Sequence, residues 1–405
     1  MKILHTSDWH LGRSLYGRGR TDEFAAFLNW LAELVEQQEI AILIIAGDIF
    51  DTTAPSNRVQ ELYYSFLCRV GKSACRHVVV IGGNHDSPSF LNAPKAVLNA
   101  LNVHVVGAMD IENELLVCRD ATGSPEAIVC AVPYLRDRDI RQSEAGESID
   151  DKRTKLAEGV RAHYHLLGEM AEAARGNLNI PIIGTGHCFA AGGITLADDG
   201  VRELNIGSLD HIEAAAFPAC FDYLALGHLH VPQKVAKSET LRYCGSPIPM
   251  GFGEATQQKL VLEIDFEGRT PTVSEIPIPC FQPLRRVTGN LEQILEALTQ
   301  LKLEHSTAWL EIEYTGDEII GDLRDQVEVA IKDSDLEIRR IKNKRVIDRA
   351  LKSIDTAETL DDLEPTEVFV RCLETHEIPD AQRPALTTAY AEILQTLEEA
   401  DPKAE

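Results

Sequence analysis

Ala41-Ile42-Leu43-Ile44-Ile45-Ala46-Gly47-Asp48-Ile49-Phe50-Asp51 decides how the chain is read. Its first six residues are all apolar and do not alternate with polar ones. Such a run predicts a short strand buried on both faces. It ends abruptly at a glycine and two carboxylates. The same order recurs on either side. Lys2–Ser7 leads into Asp8-Trp9-His10, and Val78–Ile81 into Gly83-Asn84-His85-Asp86. Pro181–Gly184 leads into Gly186-His187, and Tyr223–Gly227 into His228-Leu229-His230. Helical spacing fills the gaps between the first strands. Thr21 reads as an N-cap before Phe24, Phe27, Leu28, Leu31, Leu34 and Val35. Pro55-Ser56 opens a second helix with Val59, Leu62, Tyr63, Phe66, Leu67 and Val70 on one side. Strand, polar loop and helix in alternation predict an α/β fold whose loops gather at one sheet edge.

A chain of 405 residues, 44% apolar, has room for two or three domains. Three prolines in Ile276–Pro283 mark a boundary. The expected division is residues 1–280, a small α+β module at 281–346, and an acidic helical region at 347–405. The module is read as helix Leu291–Leu301, strand Ala308–Tyr314, helix Leu323–Ile331 and strand Leu336–Ile341. Residues 134–155 read as an exposed charged insertion before a helix near Leu156–Ala174. The nine scattered cysteines predict reduced thiols, with Cys75, Cys118, Cys130 and Cys244 acting as small apolar residues. There is no basic leader and no run of ~18 apolar residues, so a cytoplasmic chain without a membrane span is expected. The net charge of −25 disfavours a broad basic nucleic-acid face. That charge is uneven: residues 353–405 carry 14 acids against 3 bases, whereas 336–352 carry 7 bases against 2 acids. A local basic strip, Arg339, Arg340, Lys342, Lys344 and Arg345, remains available to phosphates.

The strand-end clusters hold seven candidate metal ligands: Asp8, His10, Asp48, Asn84, His187, His228 and His230. Oxygen and imidazole donors together suit a pair of divalent ions, manganese or iron better than magnesium, and zinc also fits. Two ions ~4 Å apart need a bridging ligand, for which Asp48 is the choice. Asp8, His10 and His230 would complete one shell, and Asn84, His187 and His228 the other. A shared water, its pKa lowered, would attack phosphorus as hydroxide. His85, beside Asn84, is assigned to the phosphate as proton donor or transition-state stabiliser. Asp86 would orient His85, and Asp51 would face substrate or solvent. Each cluster alone has a plain structural reading: Gly-Asn-His-Asp can be a tight turn, and a lone histidine a satisfied core residue. Five in order at strand ends point to a convergent site. Trp9 reads as packing. His163 and His165 do not share a helix face, and His5 and His77 have no partner pattern.

The clusters together resemble the calcineurin-like metallophosphoesterase superfamily. The opening Ile3–Arg13, the segment Ala46–Asp51 with Ala54-Pro55-Ser56, Ala225–His230, and Gly245-Ser246-Pro247 are similar to its double-strand-break-repair nuclease family. That resemblance implies two mixed β-sheets packed together and flanked by helices, with a capping domain and a helical C-terminal region. It further implies two Mn²⁺ ions, 3′→5′ exonuclease activity on double-stranded DNA, and single-strand endonuclease or hairpin-opening activity. Its implied partners are an SMC-type ATPase and a second nuclease subunit, with Phe24–Val35 and Val59–Val70 as candidate dimer contacts. The 281–346 module would cap DNA. The acidic region would dock on the ATPase coiled coil, with Leu386, Tyr390, Ile393, Leu394 and Leu397 as its apolar stripe.

Two rival functions share the same residues. A small-substrate phosphoesterase acting on cyclic nucleotides or phosphomonoesters would need the same site but not the 125 residues beyond Cys280. A non-catalytic scaffold would be expected to have lost ligand positions, and none is missing.

Overall fold

In the computed structural model, Ile42–Ala46 is a strand buried along its whole length, and the cause lies on both of its sides. The structure describes residues 1–141, 148–190, 212–316, 320 and 322–343, with Phe369, Leu373, Arg383, Leu386, Thr387 and Tyr390. Two units are distinguished, Met1–Arg285 and Arg286–Glu405.

In the first unit, Ile42–Ala46 runs parallel to Lys2–Thr6 and His77–Ile81. Val103–Val106 extends that sheet in parallel, and the Leu260–Glu267 and Thr270–Pro277 pair closes its other edge antiparallel. A second six-stranded sheet runs in the order Gln233–Lys234, Leu241–Tyr243, Tyr223–Gly227, Ile182–His187, Pro125–Cys130 and Leu115–Arg119. Ile3, Ile42, Ile44, Val79 and Ile81 pack with Ala127, Val129, Ile183, Tyr223 and Ala225 in the core between the sheets. The alternate residues Leu43 and Ile45 turn outward onto Phe24, Phe27, Leu31, Tyr63, Phe66 and Leu67. Those six belong to helices Thr21–Gln37 and Asn57–Val70. On the far side, Ile128, Ile182 and Leu224 meet Val160, Tyr164 and Leu167 of helix Ile149–Arg175. The layers are therefore helix, sheet, sheet, helix. A period-2 strand with both faces covered leaves no position for a polar residue, and each buried aliphatic side chain stabilises the fold by about 1.5–3 kcal/mol.

Several expectations change. Thr21 is the first helical residue, not the cap; Arg20 occupies the cap position and makes no side-chain cap bond, since a guanidinium only donates, and it pairs with Glu23 instead. The apolar faces of the first two helices are buried in their own core, so Phe24, Phe27 and Phe66 are not available as dimer contacts. Residues 134–141 are not an exposed insertion. The Tyr134 amide bonds to the Gly82 carbonyl, Leu135 is buried, and the long helix starts at Ile149. Charge pairing among Asp137, Arg141 and Lys152 ties this segment down. His5, His77 and His163 have partners that are distant in sequence: Tyr223 at 3.0 Å, His104 at 3.2 Å and Glu114 at 2.6 Å. Cys75, Cys118, Cys130 and Cys244 are free and buried. Among the described residues, no helix is long and apolar enough to cross a membrane.

The second unit contains a three-stranded sheet, Leu284–Gly289, Trp309–Tyr314 and Glu337–Asn343, the first strand being absent from the sequence reading. Helices Leu291–Leu303 and Leu323–Ile331 contribute Ile294, Leu298, Leu323 and Val327 to a core with Leu310 and Ile312. Pairing slips after Leu310↔Ile338 to Glu311↔Arg340, leaving Arg339 as an extra residue. Glu311 is fully buried, with Arg286 at 2.5 Å, Lys342 at 3.1 Å and Arg340 at 3.7 Å. A buried carboxylate needs such counter-charge. Arg286, Arg340 and Lys342 therefore share one carboxylate, three cations against a single negative charge. Arg339 pairs with Glu337 at 3.1 Å and lies over Trp309. Lys344 and Arg345 lie outside the described residues. Of the C-terminal stripe, Tyr390 stacks on Phe369 and Leu386 is exposed; Ile393, Leu394 and Leu397 lie outside the described residues.

Candidate metal centre

The stacking of the two sheets brings their strand ends together. Asp8 and His10 follow Lys2–Thr6, Asp48 follows Ile42–Ala46, and Asn84 follows His77–Ile81. From the other sheet, His187 ends Ile182–His187, and His228 and His230 follow Tyr223–Gly227. Asp8, His10, Asp48 and His228 have positive φ of 51°, 46°, 49° and 102°. Left-handed backbone costs an L-residue about 1–2 kcal/mol. Here it is held by amide bonds, Asp8 N–H to the Gly47 carbonyl at 3.0 Å and His10 N–H to the Asp48 carbonyl at 2.9 Å. Backbone strain concentrated in this way is characteristic of functional sites.

Close approach also explains the glycines. A Cβ on Gly83 would lie 2.2 Å from Asp48 Oδ1, and one on Gly227 would lie 1.9 Å from the Ala46 carbonyl oxygen. That carbonyl accepts the His187 Nδ1–H bond at 2.9 Å. Gly227→Ala is therefore expected to lower stability by about 1–3 kcal/mol, the usual cost of overpacking, and to displace His187. Urea unfolding measures the first effect, and an unchanged midpoint would contradict this packing.

Around the cavity, oxygen anchors decide which ring nitrogen is free. A carbonyl only accepts, so His187 Nδ1 donates to Ala46 O and His85 Nδ1 donates to Asp51 O at 3.1 Å. His10 Nδ1 lies 3.4 Å from Asp51 Oδ1. The opposite nitrogens turn inward. His187 Nε2 is 3.0 Å from Asn84 Oδ1 and 3.3 Å from Asp48 Oδ2. His10 Nε2 is 3.1 Å from His230 Nε2 and 3.6 Å from Asp48 Oδ2. His228 Nδ1 is 3.0 Å from Asn84 Oδ1, and its amide donates to Asp8 Oδ1 at 2.9 Å. Among the described residues, three subsets lie close enough to hold an ion: Asp8, His10 and His230; Asp8, Asp48 and His187; and His10, Asp51 and His85.

Acceptors facing acceptors repel unless a proton or a cation lies between them. The electrostatics follow from this. Burial alone would lower the His187 pKa, but the Asp48 carboxylate overrides it and raises it to about 9. Burial, reinforced by His187, pushes His228 down to about 3, so its ring is neutral. Burial also lowers His10. Burial opposes ionisation of Asp48, yet His187 and His10 hold it well below the usual carboxylate range. His187 thus carries a second proton on Nε2 against Asp48, and a divalent cation would displace it; with His228 neutral and Asp48 ionised, the set of imidazole and oxygen donors fits such a cation.

The remaining expected residues sit nearby in different roles. Asp86 accepts three backbone N–H bonds, from Gly83 at 2.9 Å, Phe50 at 3.0 Å and Ile49 at 3.1 Å. It joins the loops that carry Asp48 and Asn84, rather than orienting the His85 ring. Burial and the Asp48 charge push it up to about 7. Asp51 contacts His10 and accepts from Arg13 Nη1 at 3.2 Å, so it supports His10 as well as edging the cavity. Trp9 is packing: buried, edge-on to Phe27 and Phe66, with its N–H on Thr6. The sequence reading missed Tyr134, edge-on to His187, and the buried Glu254 and Lys259 beneath His230. The only signal for the last two was a pair of charges close to the apolar strand start at Leu260.

Known proteins are similar over most of the chain. Residues 1–232 match the calcineurin-like phosphoesterase family, and residues 280–377 match the type 5 capsule protein repressor C-terminal domain, SbcD_C. The SbcD subunit of the nuclease SbcCD from Escherichia coli (strain K12) is 36% identical over 400 residues, covering 98% of each chain. That of Rhodobacter capsulatus is 35% identical over 75% of this chain and 76% of its own. That of Bacillus subtilis is 30% identical over 77% and 78%. With a matching catalytic-domain family, a matching C-terminal family and relatives of nearly equal length, the chain belongs to the calcineurin-like phosphoesterases and, among them, to the SbcD family of nuclease subunits.

Proposed function

We propose that the chain is a metal-dependent DNA nuclease, hydrolysing phosphodiester bonds as the nuclease component of a complex with an SMC-type ATPase, SbcC. The observation that carries this reading is the convergence of two carboxylates, an amide oxygen and four imidazoles on one another where the strand ends of the two sheets meet. Asp8, His10, Asp48 and His230 would hold one divalent ion, and Asp48, Asn84, His187 and His228 a second, Mn²⁺ being the proposed metal. Bound there, such a pair supplies Lewis acidity towards a phosphodiester and a water.

The protein's own groups do the rest. Asp48 Oδ2 lies between His10 and His187, which suits it to bridge. Asp51 and Ala46 fix the imidazole orientations. His85, its Nδ1–H held by the Asp51 carbonyl, keeps Nε2 for the phosphate and, as the doubly protonated imidazolium, would pass the Nε2 proton to the leaving oxygen and return to the neutral ring. We assign residues 281–346 to DNA capping and 347–405 to docking on the ATPase, and we propose a homodimer of nuclease subunits. Double-strand 3′→5′ exonuclease and hairpin-opening endonuclease activities are the proposed reactions, supported by the resemblance to the repair nucleases and by relatives named as nuclease subunits.

The test is incubation of the full chain, with and without its ATPase, with end-labelled duplex and hairpin DNA. Mn²⁺-dependent cleavage that EDTA abolishes is expected. Turnover of cyclic nucleotides with DNA left intact would establish the small-substrate rival instead.

A further inference from the structure

Beneath the candidate metal centre lies a buried ion pair with no part in the scheme above. Glu254 is fully buried, and Lys259 is 4% exposed. Lys259 Nζ shares its three protons among four acceptors, the His230 carbonyl at 3.0 Å, Ser246 Oγ at 2.9 Å, Gln257 Oε1 at 2.5 Å and Glu254 Oε2. Glu254 Oε2 also accepts from the Met250 amide at 3.0 Å and from Ser246 at 3.4 Å. That oxygen is saturated. Among the described residues, Oε1 has no partner within hydrogen-bond distance, and it lies 3.7 Å from His230 Nδ1.

We propose that Glu254, held by Lys259, is the positioning residue that selects the metal-binding form of His230. A neutral imidazole carries its proton on either nitrogen. With the proton on Nε2, His230 would donate to His10 Nε2, 3.1 Å away, and both rings would be closed to a cation. A buried anion beside Nδ1 favours the proton there, which leaves the Nε2 lone pair facing the cavity. Lys259 completes the arrangement by holding the same residue's backbone carbonyl, so ring and main chain of His230 are fixed by one neutral pair.

Three other rings support the inference. His187, His10 and His85 each turn Nδ1 to an oxygen, of Ala46, Asp51 and Asp51 respectively, and present Nε2 to the cavity. Glu254 is the matching oxygen for His230. A carboxylate behind a ligating imidazole raises its basicity and fixes its orientation. A buried ion pair contributes little net stability by itself, so its location is better explained by the ring that it faces.

The inference rests on the metal-centre reading, and the test separates the two. Metal-free full-length protein is titrated with Mn²⁺ by calorimetry for wild type, Glu254→Ala and Glu254→Gln, with melting temperatures of the metal-free forms in parallel. Wild type is expected to bind two ions. Glu254→Ala is expected to weaken one of them about 10–100-fold, the usual effect of losing such a partner, and to leave the other unchanged. Glu254→Gln, which keeps an acceptor without the charge, should fall between. Should the Ala variant fail to fold, the Gln variant decides alone. Affinities within twofold of wild type at both sites, whatever the melting temperature does, would reduce Glu254 to a structural residue and overturn the proposal while sparing the metal centre. A wild type that binds no Mn²⁺ would overturn both.

Discussion

His85→Gln is expected to lower kcat for DNA cleavage by about 10²–10⁴-fold, the range ascribed to one positioned proton-transfer group, with Mn²⁺ binding unchanged. Glutamine retains a donor that can reach the Asp51 carbonyl, the anchor that His85 Nδ1 uses at 3.1 Å. It also retains the backbone amide that holds Asp48 Oδ1 at 2.9 Å. The variant lacks only a titratable nitrogen at the cavity edge. Single-turnover cleavage of a labelled duplex gives the rate, and calorimetry gives the metal stoichiometry. A rate within tenfold of wild type would remove His85 from the mechanism, and loss of a metal would make it a ligand instead.

Asp48→Asn carries the other large effect. The amide oxygen still accepts the His85 N–H bond, so the loop geometry is preserved. The charge between His10 at 3.6 Å and His187 at 3.3 Å is lost. Bound metal should fall below two ions per chain. Metal-ion Lewis acidity supplies several kcal/mol to phosphoryl-transfer transition states, so cleavage should drop by at least about 10³-fold. A second readout is independent of metal. His187 titrates near pH 9 because Asp48 outweighs burial. Without that carboxylate, burial prevails and the His187 pKa falls, which histidine NMR of the metal-free protein measures. Two Mn²⁺ ions bound with wild-type affinity by the variant would refute the bridging role.

The parts legible in the sequence share a physical cause. Ala41–Ala46 reads as doubly buried because every residue is apolar, and the structure covers it with helices on one face and a second sheet on the other. The ligand candidates read as strand-end clusters because glycines beside them mark sharp turns. The strands Val103–Val106, Leu115–Arg119 and Pro125–Cys130 escaped notice because they are short and interrupted by His104, Arg119 and Glu126. Tyr134 escaped because charged neighbours made its segment look solvated. The pairing of Arg340 and Lys342 with Glu311 escaped notice because Glu311 lies on another strand.

Local pattern alone determined the first strands, the apolar faces of the first two helices and the candidate ligand residues. These depend on period, turn chemistry and side-chain type, all of which are written within a few residues of one another. The pairing of the two sheets determined what those residues face: Nε2 of His187 against Asp48, Nε2 of His10 against His230, Asp86 on three amides, Glu254 behind His230. Such contacts join positions separated by up to 220 residues. Hydrogen-bond direction and electrostatic coupling act over a few ångströms of space, and only the folded chain sets those distances.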